Sequence, residues 1–169
     1  MMRPLPRVVL VTGATGFLGG HVCRALVGHG VRVRGLTRGT GAALPDQVEP
    51  YRATGLDDRR ALADALAGVD GVIHLAARVH QGPATGGDDG PTGFRAVNVE
   101  GTRTLLDLAV AAGVQSFVLA SSTKAVGEGG DAPYTEETPP APADGYGRSK
   151  LEAEQLLRAS RLHAPVLRP

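Results

Sequence analysis

The stretch Val8–Gly20, which reads VVLVTGATGFLGG, constrains the fold more than any other part of this 169-residue chain. Four consecutive apolar residues run into Thr12, which is typical of a strand buried on both faces of a parallel sheet. Glycines follow at Gly13, Gly16 and Gly19 with the spacing G-x-x-G-x-x-G, and apolar residues at helical spacing come next. Glycine permits a sharp turn and a close approach of backbone to a pyrophosphate, and the N-terminus of a helix attracts phosphate. The stretch therefore predicts a strand, turn and helix that bind a dinucleotide.

Composition argues against several other classes of function. The formal net charge is +1, aromatic residues make up 4% of the chain and tryptophan is absent, so no nucleic-acid surface is expected. No apolar run approaches membrane-spanning length, and the N-terminal residues MMRPLPR lack the apolar core of a signal peptide. The single cysteine, Cys23, cannot form an internal disulfide and is expected to pack in the core. We therefore expect a cytoplasmic protein that binds neither nucleic acid nor membrane.

Beyond the first helix, short apolar runs alternate with amphipathic segments. This alternation predicts an α/β fold with a doubly wound parallel sheet in three layers, forming a single domain over residues 1–169. Further strands are predicted at Val31–Thr37, Val48–Ala53, Asp70–Ala77, Gln115–Ser122 and Ala164–Arg168. Helices are predicted at Asp57–Gly68, Phe94–Ala112 and Tyr146–Arg161, a flexible surface segment at Val79–Gly93 and a long loop at Thr123–Asp144.

The region after the first strand bears on the choice of cofactor. NAD sites usually place a carboxylate at the end of the second strand, but no Asp or Glu occurs between Gly13 and Pro45. Arg34 and Arg38 lie in this region, and Arg38 falls where the second strand should end. An arginine there can form a bidentate contact with a 2′-phosphate, which favours NADP over NAD. The alternative is that both arginines are solvated surface residues.

Tyr146, Lys150 and Ser122 are the strongest candidates for chemistry. Tyr146 and Lys150 are four residues apart, so on a helix they share one face. A phenol is a poor base at neutral pH, and a cation one turn away is expected to lower its pKa. Tyr146 can then exchange a proton with a substrate hydroxyl. Ser122 ends the fifth predicted strand, at the edge where ligands meet an open α/β sheet, and can hydrogen-bond the same substrate oxygen.

Five segments together carry a family resemblance: TGATGFLGG, DGVIHLAA, VNVEGT, FVLASSTKAVGE and YGRSKLEAE. They resemble the extended short-chain dehydrogenase/reductase family, and most closely its NAD(P)-dependent epimerase/dehydratase branch, which includes UDP-glucose 4-epimerase-like proteins. The resemblance runs from about Arg7 to Pro169. It implies a Rossmann-type sheet with strand order 3-2-1-4-5-6 and an oxidoreductase or isomerase of nucleotide-sugar metabolism.

The resemblance also implies roles for individual residues. Ser122 would orient the substrate, Tyr146 would remove a hydroxyl proton as hydride passes to the nicotinamide, and Lys150 would tune the phenol and bind the ribose. Thr123 is the alternative to Ser122 if the loop shifts by one residue. Asn98 would be a buried structural polar group, although a part in proton relay is also considered. The residues implied at the cofactor are Gly13, Gly16, Phe17, Leu18, Gly19, Leu56, Leu75, Ala76 and Ala77, with Tyr146 and Lys150.

The chain departs from the family pattern in two places. Gly55 stands where the family often has an aspartate that reaches the adenine, so Asp57 or Asp58 would have to substitute. The family pattern continues beyond the residues that correspond to Arg168 and Pro169 into a C-terminal segment that binds the nucleotide sugar, and we expect most of that substrate half to be missing here. We therefore expect marginal stability or association of the chain alone. Family likeness also implies a homodimer through the helices around Phe94–Ala112 and Tyr146–Arg161.

Several polar residues have simpler interpretations. His74 lies inside an apolar strand and is expected to be a core histidine. The other histidines show no metal-ligand spacing with one another or with Cys23, so no metal site is predicted. The three helical glutamates Glu100, Glu152 and Glu154 are expected on solvated helix faces.

Two functions remain open from the sequence. The first is an NAD(P)-dependent epimerase, dehydratase or reductase that acts on a sugar hydroxyl or carbonyl. The second is a non-catalytic module that binds the dinucleotide without turnover. Only the enzyme should change the absorbance of the nicotinamide in a substrate-dependent way.

Overall fold

The computed structural model describes residues 6–39, 43–79, 91–129, 133–162 and 164–169, with the backbone alone at residues 91 and 92. Most of the surface segment predicted at Val79–Gly93 lies outside the described residues. Among the described helices, none is long and apolar enough to cross a bilayer.

The described residues form one sheet of six parallel strands in the order β3-β2-β1-β4-β5-β6, which confirms the predicted order. The first strand lies near the middle, as its uninterrupted apolar sequence requires. Its neighbours β2 and β4 are parallel to it, with Thr12 opposite Leu36 and His74. The strands are β1 Val8–Thr12, β2 Arg32–Arg38, β3 Val48–Ala53, β4 Gly71–His74, β5 Ser116–Ala120 and β6 Val166–Leu167.

Helices pack on both faces of the sheet, as a doubly wound fold requires. The helices are α1 Phe17–Gly28, α2 Arg59–Leu66, α3 Pro91–Arg95, α4 Thr102–Ala111 and α5 Gly145–Ala159. One core packs α1 against β1 and β2, and the predicted core residue Cys23 is fully buried in it. The opposite core packs α2, α4 and α5 against the other face, around Leu10 and Phe117. The sheet, with a helical layer on each face, therefore forms the three predicted layers.

The prediction of one continuous helix at Phe94–Ala112 is wrong in its local structure. It consists of α3, a π-helix at Ala96–Gly101 and α4 in succession. A π turn inserts one extra residue per turn, which apolar periodicity does not reveal. The turn brings Gly101 so close to Leu56 that a Cβ on Gly101 would lie 2.7 Å from the Leu56 Cβ. It also buries Asn98, and such turns occur often at functional sites.

Both sequence-based interpretations of Arg34 are wrong. The side chain is buried and neither solvated nor placed at the end of β2. Its Nη1 donates to the carbonyl oxygens of Ala65 and Ala67 at 2.8 and 2.7 Å. These carbonyls end α2, where a cation also favours the helix dipole. The guanidinium lies 4.8 Å from the ring centre of Tyr51, so Arg34 fastens α2 to the sheet.

Candidate active site at the carboxyl edge of the sheet

The glycine turn lies at the carboxyl end of β1, as predicted. Gly13 has φ of +69°, and a Cβ there would lie 2.8 Å from the Ala76 nitrogen. The Gly16 N–H donates to the Gly13 carbonyl at 3.0 Å, which closes the turn. A Cβ on Gly19 would collide with the same carbonyl and with Ala14. The first and third glycines are therefore required by close packing, and the turn delivers the N-terminus of α1 to the edge of the sheet.

The residues predicted beside the turn are brought to it. Leu75, Ala76 and Ala77 follow β4 directly, and the Ala76 N–H donates to Thr12 Oγ1 at 3.1 Å. Phe17 begins α1 and is 87% exposed, and Leu18 next to it is also exposed. The two loops after β1 and β4 thus meet side by side. Such a cradle of small residues without intervening side chains fits a dinucleotide.

Two other predicted cofactor residues lie in different settings. Arg38 ends β2 and is exposed, so its guanidinium is accessible to an anion. Leu56 is half-buried and packs against the apolar core and Gly101, so its side chain has a structural contact of its own. Asp58 is used in the fold, because its carboxylate accepts the N–H of Ala61 and caps α2. A groove of about 330 Å³ opens beside the glycine turn between Phe17, His21 and Leu44.

His74 is a buried core histidine, as predicted, with a defined set of hydrogen bonds. Its Nδ1 lies 2.6 Å from Thr12 Oγ1, and its Nε2 lies 2.9 Å from Thr102 Oγ1. The Thr102 hydroxyl donates to the Asn98 carbonyl at 2.7 Å, so it must accept from His74 Nε2. Thr12 then donates to Nδ1. The ring is the neutral Nε2–H form, and burial together with the nearby charge of Lys150 lowers the pKa of His74 to about 3.

Asn98 links the π-helix to α5. Its amide Nδ2 donates to Ser149 Oγ at 2.9 Å and to the Arg78 carbonyl at 2.9 Å, while Oδ1 accepts the Arg78 N–H at 2.8 Å. Ser149 Oγ donates in turn to the Tyr146 carbonyl at 2.7 Å. Asn98 therefore makes the structural hydrogen bonds that the resemblance implies, and they fix the turn of α5 that carries Tyr146.

Ser122 and Tyr146 are brought together. Ser122 follows β5 and caps a short 3₁₀ turn at Thr123–Ala125, while Tyr146 lies in the first turn of α5. Asp144 caps α5 by accepting the Gly147 N–H at 2.6 Å. The side chains of Ser122 and Tyr146 interact, and the Ser122 hydroxyl lowers the pKa of the Tyr146 phenol. The pair lies at the carboxyl edge of the sheet, where open α/β folds bind ligands.

The prediction that Lys150 lowers the pKa of the Tyr146 phenol is wrong for this structure. Burial raises the pKa of Tyr146 above its ordinary value, the hydrogen bond from Ser122 opposes this, and Asp144 raises it further. The cation that lowers it is Lys124, which forms ion pairs with Asp144 at 3.0 Å and with Glu128 at 2.6 Å. The loss of hydration on burial therefore outweighs the favourable charge. The phenol is neutral at neutral pH.

Lys150 itself lies one turn along α5 and is 3% exposed. Burial lowers its pKa to about 8, and the charge of Glu154 opposes that fall. The group is thus mainly protonated at neutral pH. A buried ammonium group is costly unless it interacts with an anion or a polar ligand, so its position is typical of a functional site.

Glu154 was expected on a solvated helix face, and this is wrong. The residue is fully buried, whereas Glu100 and Glu152 are solvated as expected. Glu154 accepts hydrogen bonds from Ser121 and Arg168, which follow β5 and β6. Its position four residues after Lys150, on the same helix face, was the signal in the sequence that could have identified it. Among the described residues, no group of three His, Cys, Asp or Glu side chains is arranged to bind a metal.

Comparison with known proteins shows the family of the chain. A model of the NAD dependent epimerase/dehydratase family matches residues 9–168. The dTDP-glucose 4,6-dehydratase of Streptomyces griseus is 36% identical over 162 residues, which cover 89% of this chain and 48% of that protein. Sterol demethylase protein B of Methylococcus capsulatus is 39% identical over 150 residues, which cover 86% of this chain and 44% of that protein.

A solved structure shows the same architecture. The structure of MoeE5 in complex with UDP-glucose and NAD matches with a TM-score of 0.82 and 34% identity, over 95% of this chain and 53% of that one. The chain spans about half the length of the relatives it matches. Since the family model covers nearly the whole chain, the protein belongs to the NAD dependent epimerase/dehydratase family.

Proposed function

We propose that this chain carries the dinucleotide site and the proton-transfer residues of an NAD(P)-dependent oxidoreductase that acts on a hydroxyl or carbonyl group of a nucleotide sugar. The observation that supports it most is that Ser122 interacts with Tyr146, which lies one helical turn from the buried side chain of Lys150. This set lies at the same edge of the sheet as the glycine turn. The nucleotide-sugar class is supported by relatives such as the dTDP-glucose dehydratase and MoeE5.

Tyr146 is the proton donor and acceptor in this proposal. Its neutral phenol can donate a proton to a carbonyl oxygen as that oxygen gains negative charge, and the phenolate can take the proton back from a hydroxyl. Ser122 interacts with the phenol and can hydrogen-bond the same substrate oxygen. A bound nicotinamide supplies the acceptance and return of hydride. Lys124 is the cation that favours the phenolate during the proton transfer, and Lys150 would bind the ribose of the dinucleotide.

The dinucleotide itself is assigned by fit. Gly13 lets the loop after β1 approach the loop after β4, because a Cβ on Gly13 would lie 2.8 Å from the Ala76 nitrogen, so backbone is accessible to a dinucleotide at this point. MoeE5 binds NAD, which supports a nicotinamide dinucleotide in this chain. NADP is the finer proposal, because Arg38 is exposed at the end of β2 and can pair with a 2′-phosphate. Arg34 has no part in it, since its guanidinium caps α2.

Replacement of the phenol tests the proposed chemistry. We expect Tyr146→Phe to lower the rate of the substrate-dependent change in nicotinamide absorbance by about 10²- to 10⁴-fold, since it removes the hydroxyl that transfers the proton. Binding of the dinucleotide should stay within a few-fold of the parent. UDP-glucose and dTDP-glucose are the substrates to assay first.

Tyr134→Phe is the matched control, because Tyr134 is an exposed tyrosine whose hydroxyl donates to the Gly129 carbonyl. It should leave turnover unchanged. A measurable turnover that Tyr146→Phe does not alter would refute the assignment. Cofactor binding without any turnover in the parent chain would support the non-catalytic module instead.

A further inference from the structure

Glu154 connects three elements behind the proposed site. Its carboxylate is fully buried and accepts from Ser121 Oγ at 2.6 Å. Arg168 donates to both carboxylate oxygens, from Nε at 2.9 Å and from Nη2 at 2.6 Å. Arg158 adds an ion pair at 3.4 Å. We call these four residues the Glu154 cluster, and it joins α5 to the chain after β5 and after β6.

The carboxylate in this cluster is ionised. Burial opposes the charge, but the hydrogen bonds from Arg168 and Ser121 outweigh it, so the pKa of Glu154 lies below its ordinary value. A fork of two N–H groups on one carboxylate is among the strongest pairings in proteins. A permanent negative charge therefore lies inside α5, one turn beyond Lys150.

The cluster also fixes the chain at Ser122. Ser121, which donates to Glu154, directly precedes it. The Ser121 N–H donates to the Leu167 carbonyl at 2.6 Å and the Thr123 N–H donates to the Pro169 carbonyl at 3.2 Å. The backbone on both sides of Ser122 is thus fastened to the segment that carries Arg168, and Arg168 is fastened through Glu154 to the helix that carries Tyr146.

Lys150 interacts electrostatically with the carboxylate of Glu154. Among the described residues, the titratable groups with an electrostatic interaction with Lys150 are Glu154 on α5 and His74 on β4. His74 is neutral, since burial and the charge of Lys150 lower its pKa to about 3. Glu154 is therefore the anion that offsets the loss of hydration of the buried ammonium group.

We propose that Glu154 is a positioning residue of the site, which holds Ser122 against α5 and places a carboxylate one helical turn from the Lys150 ammonium group. This inference rests on the proposed function, in which Ser122, Tyr146 and Lys150 carry the chemistry. It extends that function by one residue that does not touch the reacting atoms.

The chain offers a direct test, because Lys124 and Lys150 are its two lysines. Selective isotope labelling of lysine gives two side-chain signals, whose pH titration by NMR needs neither substrate nor turnover. In the parent, Lys150 should titrate near its pKa of about 8. In Glu154→Gln the midpoint should fall by about one pH unit or more, because the opposite charge is removed. Lys124 should not move and serves as the internal reference.

Glu152→Gln is the matched control, since it removes the same charge from the solvated face of α5. It should leave the Lys150 midpoint unchanged. If Glu154→Gln does not fold, Arg168→Gln tests the same ion pair by removing the positive charge that binds the Glu154 carboxylate. Removal of the arginine changes the charge next to Lys150, so the Lys150 midpoint should rise where Glu154 stays ionised and fall where burial then protonates Glu154. A folded variant of either kind with an unchanged Lys150 midpoint overturns the proposal, whatever the assays of turnover show.

Discussion

Among the residues that the structure describes, His74 has a side chain whose charged form the fold strongly disfavours. Thr12 and Thr102 use both ring nitrogens, and the phenyl ring of Phe117 packs at 5.9 Å between ring centres. Protonation would leave the Thr12 hydroxyl without its acceptor and place a cation near Lys150. The pKa therefore falls to about 3 from an ordinary value near 6.5.

This shift predicts a loss of stability in acid. Between about pH 6.5 and pH 3 the unfolded chain binds a proton at this site that the folded chain does not, so the free energy of unfolding falls as the pH falls. From pH 7 to pH 5 the loss should be about 2 kcal/mol. The His74→Gln variant keeps one hydrogen-bond acceptor and one donor. Between pH 7 and pH 5 its free energy of unfolding should fall by about 2 kcal/mol less than that of the parent. Urea denaturation at both pH values measures it, and equal losses in both proteins would contradict the account.

Arg38 carries the prediction about the cofactor. Arg38→Ala should weaken NADP binding by about 10-fold or more, since a hydrogen bond to a charged group is worth about 1.5–3 kcal/mol. NAD binding should stay unchanged. Calorimetric titration of both dinucleotides decides it, with Arg32→Ala at the exposed start of β2 as the control. An equal loss for both dinucleotides would rule out a contact with the 2′-phosphate.

Single residues were predicted from sequence to different degrees. His74 and Cys23 were placed correctly because an apolar neighbourhood in sequence predicts burial. Arg34 and Glu154 were not, because charged residues are rarely buried unless paired. Their pairs come from other elements, the end of α2 and the segment after β6, and local sequence does not show these contacts.

At the scale of elements, the turn between β1 and α1 depends on glycine packing. Gly19→Ala would force its Cβ into the Gly13 carbonyl, and we expect a loss of stability of about 1–3 kcal/mol. Dinucleotide binding should weaken as well. Gly28→Ala is the matched control on the same helix, where a Cβ meets nothing within 4 Å. It should be neutral or stabilising by up to about 1 kcal/mol. Denaturation curves of the pair test this, and equal stabilities would contradict it.

Strands were easier to predict than the details of helices. The interval Val48–Ala53 agrees with the structure at both ends, and β1 begins with its apolar run at Val8 and ends one residue after it, at Thr12. The π-helix at Ala96–Gly101 was missed, because its extra residue is set by packing of Gly101 on Leu56 and by the bonds of Asn98. The candidate site was found because Tyr146 and Lys150 share a helix face, which spacing alone reveals.

At the scale of the whole molecule, family likeness predicts a homodimer. The two helices predicted to form the dimer interface contain α4 and α5, and Val110 on α4 is exposed. Sedimentation equilibrium should give about twice the chain mass of 17.4 kDa, with dissociation on dilution. A monomer that unfolds in one robust two-state transition at all concentrations would contradict both the dimer and the expected marginal stability.

The central claim is that the glycine turn, Tyr146 and Lys150 serve one bound dinucleotide. At 17.4 kDa the chain suits NMR, and intermolecular NOEs between a labelled chain and unlabelled NAD or NADP measure the convergence directly. We predict NOEs from the nicotinamide protons to the Tyr146 ring and the Lys150 side chain. A dinucleotide that binds the glycine turn with no nicotinamide NOE to either residue would contradict the account.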